Sequence, residues 1–95
     1  MTAGRAAAAD GFDAAACAFN GLPLQGAVQV VSSFPDIRVQ VVESFPDLNV
    51  ELVTSFPDTC GRWRLVDSFA DIKIQYVDSF PDLKIRFVSS FPGIP

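Results

Sequence analysis

The 95-residue sequence predicts an all-β fold, a two-sided parallel β-solenoid of 11-residue strand-plus-corner repeats. Three observations carry that expectation. One short unit recurs from Ser33, Ser44, Ser55, Ser68, Ser79 and Ser90, at steps of 11, 11, 13, 11 and 11 residues. Within each unit apolar and polar residues alternate, the period of a half-buried strand. Between strands stands the tetrapeptide SFPD or a close variant, whose chemistry is that of a corner.

Residues 1–21 are read as an Ala-rich N-terminal arm or capping helix, with Asp near its start and Asn20-Gly21 as its stop. In this reading Phe12, Cys17 and Phe19 cover one end of the repeat domain, which spans 22–95. A degenerate copy, LPLQGAVQVVS (22–32), opens the domain. The regular copies follow. Ile37, Val39 and Val41 alternate with Arg38 and Gln40, and Leu48, Val50 and Leu52 with Asn49 and Glu51. Ile72, Ile74 and Tyr76, then Leu83, Ile85 and Phe87, repeat the pattern around Lys73 and Gln75, and Lys84 and Arg86. A Val then breaks the alternation in every copy and marks a bend.

In the corner, Pro lacks a backbone donor and belongs where ladder pairing stops. The Asp folds its carboxylate onto nearby backbone N–H groups. The six Phe residues (34, 45, 56, 69, 80 and 91) are expected to plug the end of the core, because their size disfavours exposure to water. The 13-residue copy, SFPDTCGRWRLVD, carries TC as an insertion, with Gly61 offsetting the volume of Trp63 inside the core.

Stacked coils bury the apolar faces of both walls against each other, so the solenoid is preferred. An antiparallel meander, the alternative, leaves one sheet face bare. A three-sided coil would complete too few turns.

At these residues the chain resembles small bacterial proteins built from 11-residue repeats of the VYFVxxxxxAD type, grouped as domains of unknown function. VQVVSSFPDIRVQVVE carries the pattern, and GRWRLVDSFADIKIQYVDSFPDLKIRFV (61–88) matches its second half, SFAD included, in proteins that expand one copy with a G-x-W before its strand. The resemblance covers 26–95, implies an all-β repeat fold and transfers no catalytic residue. The FP corner departs from it.

Function classes narrow quickly. The chain has no His, no nucleophile elbow and no phosphate loop, so an enzyme is not expected. No cofactor is expected either. A net charge of -4 argues against a nucleic-acid binder, and charges and prolines interrupt every apolar run, so no membrane span is expected. The expectation is a structural or protein-interaction module that binds a protein partner or itself. A second reading is an anionic polymer held on a basic wall of Arg38, Arg62, Arg64, Lys84 and Arg86. A third is Ca²⁺ on a row formed by Asp36, Asp58 and Asp82. Cys17 and Cys60 form either a disulfide or, in a cytoplasmic protein, two free thiols. Without a classical signal sequence the default compartment is the cytoplasm.

Overall fold

Alternation in the sequence becomes strand in the structure, a computed structural model that describes residues 11–95. Three two-residue strands come first: β1 (Phe12–Asp13), β2 (Ala18–Phe19) and β3 (Leu22–Pro23), paired antiparallel in that order. Six repeat strands follow: β4 (Gly26–Val30), β5 (Ile37–Val41), β6 (Leu48–Leu52), β7 (Arg62–Leu65), β8 (Ile72–Tyr76) and β9 (Leu83–Phe87).

The six are all parallel and close into a barrel of order β4-β7-β6-β9-β5-β8, the last strand pairing with the first. The strands are thus parallel, as a solenoid requires, but they enclose one core instead of forming two facing walls. Closure removes the free ladders that a short solenoid leaves at its ends. The expected N-terminal helix is also replaced. Its residues from 12 onward supply β1 and β2, and its first ten lie outside the described residues.

Stagger explains how six-residue links can join parallel strands, which ordinarily need a dozen or more. The end of β4 and the start of β5 flank the same residue of β8, since Val30 and Ile37 both pair with Ile74. The chain therefore needs no return along the barrel. It needs only to step over β8. Residues 31–36 do so as an arch, with Val31 N–H donating to the Ile74 carbonyl and Asp36 N–H to that of Lys73, each at 2.8 Å.

The same arch recurs. Residues 42–47 step over β9, 66–71 over β4, 77–82 over β5 and 88–93 over β6, each with its first and last N–H bonded to the strand beneath. The arch leaving β4 passes over β8, while the arch entering β8 passes over β4. Strands and arches thereby interlock around the ring.

The 13-residue copy has a topological purpose. β4, β5 and β6 occupy alternate places in the ring, so another regular step would land on β4. The longer link, 53–61, instead sets β7 directly beside β6, with Leu52 opposite Trp63. From there β7, β8 and β9 fill the gaps left by the first three strands.

Inward residues form three levels. Ile37, Leu48, Ile72 and Leu83 make the basal level with Gly26 and Gly61, and Val28, Val39, Val50, Trp63, Ile74 and Ile85 the middle one. The large side chains of both levels are essentially inaccessible to solvent. Val30, Val41, Leu52, Leu65, Tyr76 and Phe87 form the apical level and are half exposed. Each fully buried aliphatic side chain contributes roughly 1.5–3 kcal/mol.

The basal end is closed by the N-terminal sheet. Leu24 and Phe19 join the core, and the Leu24 carbonyl accepts from Gly61 N–H at 3.0 Å and from the Trp63 indole at 3.2 Å. Gly61 proves to be a matter of backbone approach more than of volume. A Cβ there would stand 2.5 Å from the Asn49 carbonyl oxygen and 2.6 Å from Gly93 N, at a φ of +86°.

Candidate functional site

Each arch throws one side chain outward. Phe34, Phe45, Phe56, Phe69, Phe80 and Phe91 are 77–98 % exposed, which overturns their expected place at the end of the core. The reason is steric. The basal and middle levels already fill the barrel's interior, and the arches that carry the rings pass outside the strands.

All six also have left-handed backbones, with φ between 53° and 57°. A side-chain-bearing residue ordinarily pays about 1–2 kcal/mol in that region, which glycine or asparagine enters more easily. Pro is not the cause, since Phe69 precedes Ala70 and still has a φ of 56°. The arch itself imposes the conformation. Six times, then, an exposed apolar ring stands at a backbone position that a smaller polar residue would hold more cheaply.

These rings form a girdle and not a patch. Their arches cross β8, β9, β4, β5 and β6, with Phe56 in the 53–61 link completing the circuit. The sequence carried a signal for them. Core positions exchange Ile, Val and Leu between copies, whereas the ring position is Phe in all six. Packing tolerates such exchange, so a position that never changes within the chain points to a demand other than filling space.

The corner Asp residues accept from backbone N–H groups as the sequence suggested, but from the strand that each arch crosses and not from their own corner. Asp36 Oδ2 accepts from Lys73 N–H at 2.8 Å, Asp47 from Lys84 at 2.9 Å, Asp71 from Ala27 at 3.0 Å and Asp82 from Arg38 at 2.8 Å. Asp58 lies in the irregular link and has no such bond. The barrel therefore does not stack Asp36, Asp58 and Asp82 into one row. Among the described residues no three His, Cys, Asp or Glu side chains gather as a metal site. Asp36→Ala is expected to cost about 0.5–1.5 kcal/mol, by removing a hydrogen bond that anchors the arch at the surface, and Asp58→Ala close to nothing. Paired urea melts would check this. Equal losses would remove the arch role.

The basic residues spread around the curve. Arg38 on β5 and Lys84 and Arg86 on β9 occupy adjoining strands, whereas Arg62 and Arg64 on β7 lie beyond β6. Arg86 is engaged, its Nε–H donating to Asn49 Oδ1 at 3.1 Å, and Arg62 faces Glu51 at 3.6 Å. Arches run between these side chains, so no continuous wall forms.

Cys17 and Cys60 are joined by a disulfide, with their Cα atoms 6.0 Å apart. The bond ties the N-terminal sheet to the 53–61 link. A hollow of about 490 Å³ is lined by Leu22, Pro23, Gln25, Gly26, Pro57, Asp58, Asp71 and Ile72. No helix among the described residues is long and apolar enough to cross a membrane.

No curated protein matches the chain. Residues 21–95 match a family model described as the 7(1) septoil knot domain.

Proposed function

The chain belongs to the septoil knot domain family, and from that premise we propose that it is a rigid, non-enzymatic interaction module that uses its phenylalanine girdle to hold apolar surfaces on several sides at once, further copies of itself among them. The observation that carries this reading is the sixfold recurrence of an exposed ring on a left-handed backbone. Exposed apolar groups beyond scattered single residues mark interaction surfaces. Backbone strain of this kind persists where the surrounding structure holds it and clusters at functional positions.

A girdle suits multivalent contact, because a single flat partner would meet only the rings on its own side. The interlocked arches supply the stiffness. The disulfide favours an oxidising compartment over the cytoplasmic default. An anionic polymer is the weaker reading, given the dispersed cations and a net charge of -4.

The test replaces all six Phe with Asn. The variant is expected to be more stable than the parent, by up to about 1 kcal/mol per site, since Asn accepts φ > 0 and no packing is lost. In sedimentation velocity the parent is expected to associate as its concentration rises and the variant to remain a monomer. If the parent and the variant have the same monomeric profile up to millimolar concentration, self-association through the girdle is wrong. A variant that unfolds would instead show that the rings are structural.

A further inference from the structure

We infer that three consecutive grooves on one side of the girdle bind a neutral, β-linked oligosaccharide. The inference rests on the exposed rings as a contact surface, and it names a ligand for three of them.

One of these grooves is a hollow of about 460 Å³ lined by Phe34, Pro35, Arg38, Gln75 and Asp82. It lies between the arch over β8 and the arch over β5. Arg38 and Gln75 stand opposite each other on that strand pair. Gln75 Nε2–H donates to the Ser32 carbonyl at 3.1 Å, and Asp82 Oδ2 accepts from Arg38 N–H at 2.8 Å. Each bond fixes its side chain and leaves a second oxygen, Gln75 Oε1 or Asp82 Oδ1, for a ligand. The exposed Arg38 guanidinium has no hydrogen bond or ion pair among the described residues.

The topology builds the same set twice more. Phe69, Lys73, Gln29 and Asp36 supply it at the β4–β8 pair, and Phe80, Lys84, Gln40 and Asp47 at the β5–β9 pair. The same bonds hold it. Gln29 donates to the Asp67 carbonyl and Gln40 to that of Asp78, each at 3.0 Å. Asp36 and Asp47 accept from the N–H groups of Lys73 and Lys84. Strands β4, β8, β5 and β9 are neighbours in that order, so the grooves stand in a row.

The row ends on both sides. At the β6–β9 pair Arg86 is engaged by Asn49, and Gly93 takes the place of the Asp. At the β4–β7 pair Ala27 takes the place of the cation.

Chemistry selects the ligand. Each groove offers an aromatic face, one cationic donor and two acceptor oxygens, and its Asp and its Lys or Arg cancel in charge. A sugar unit has a C–H face to lay on the ring and hydroxyls that both donate and accept. β-Linkage turns such faces outward along an extended chain, which meets the grooves in turn. An anionic polymer would meet Asp36, Asp47 and Asp82 beside every cation. A purely apolar partner would leave the polar groups without bonds, at a cost.

NMR titration of the full chain with cellohexaose, xylohexaose and mannohexaose, all β-linked, tests this. The side-chain amide signals of Gln29, Gln40 and Gln75 are expected to shift. The best hexasaccharide is expected to bind about tenfold tighter than its own disaccharide, since the longer chain engages neighbouring grooves. Phe34→Asn, Phe69→Asn and Phe80→Asn together should abolish binding, whereas Phe45→Asn and Phe91→Asn, outside the row, should leave it unchanged. Arg38→Ser, Lys73→Ser and Lys84→Ser together should weaken it at least tenfold. That variant keeps every ring, so its self-association should match the parent's, which separates this inference from the reading it rests on. The inference is overturned if no hexasaccharide shifts these signals at millimolar concentration, if length makes no difference, or if the cation variant binds as the parent does. A thymidine hexanucleotide shifting the same amides in place of the sugars would overturn it equally.

Discussion

The double variant Cys17→Ser, Cys60→Ser will be less stable than the parent by about 4 kcal/mol. The bond joins residues 43 apart in sequence. In the chain-entropy account, closing a loop of that length removes about 4 kcal/mol of freedom from the unfolded chain. A second contribution adds in the same direction. The bond fastens the sheet that carries Phe19 and Leu24 over the basal core, so its loss lets that cover lift and admit water. Urea melts of the two proteins, monitored by Trp63 fluorescence, would measure the difference. The slope against denaturant should also steepen, because the unfolded variant is less constrained and exposes more surface. A loss below about 1 kcal/mol would mean that the basal cover holds without its tether and that the unfolded chain is already restricted.

Trp63→Ala will cost a similar amount, about 3–5 kcal/mol. Trp63 is fully inaccessible at the middle level, the largest side chain in the core, and its indole N–H donates to the Leu24 carbonyl. Truncation leaves a cavity at the barrel axis and also leaves that carbonyl with one partner fewer. The interlocked arches hold the strands apart, so the walls can collapse only a little into the void, and cavity cost rises when collapse is prevented. Trp63→Phe should recover a good part of the loss. Phe69→Ala provides the contrast, since it deletes an aromatic ring of similar chemistry that is 98 % exposed and should change stability by a few tenths of a kcal/mol at most. Thermal and urea melts of the three variants settle the order. Comparable losses at Trp63 and Phe69 would contradict the outward placement of the girdle.

Both predictions depend on which end and which face a residue occupies, and only some of that could be read along the chain. Alternation placed Ile37, Val39, Ile72, Ile74, Leu83 and Ile85 inward, and all six are buried. Corner chemistry placed Asp36, Asp47, Asp71 and Asp82 on backbone donors, where they are found. Alternation depends on a few neighbouring residues, so local pattern suffices to predict it, whereas the donors that the Asp residues meet lie 37–44 residues away in sequence and only closure of the barrel brings them there. Phe34 and its five counterparts were misplaced because hydrophobicity states what a ring prefers, not whether room remains for it. The charged residues fared similarly. Asp58 looks like its counterparts in sequence and differs because the link at 53–61 departs from the regular arch.

By itself the sequence determined that this protein is a series of short parallel-compatible strands, each with one buried face, joined by tight proline-rich corners and interrupted once by a longer copy. Only the tertiary structure decided that the strands close on one another. An 11-residue repeat specifies strand and arch but not stagger. With one stagger alternate copies stack as a coil, and with another each arch steps over a strand from elsewhere in the chain. Long-range pairing makes that choice, as when Ile37 meets Ile74 and Val39 meets Leu83. The 13-residue copy has its meaning only in the closed ring, where it shifts the second round of strands into the gaps of the first. Closure also decided the surface, because a barrel filled by its own inward residues leaves the arches, and the rings they carry, nowhere to face but solvent.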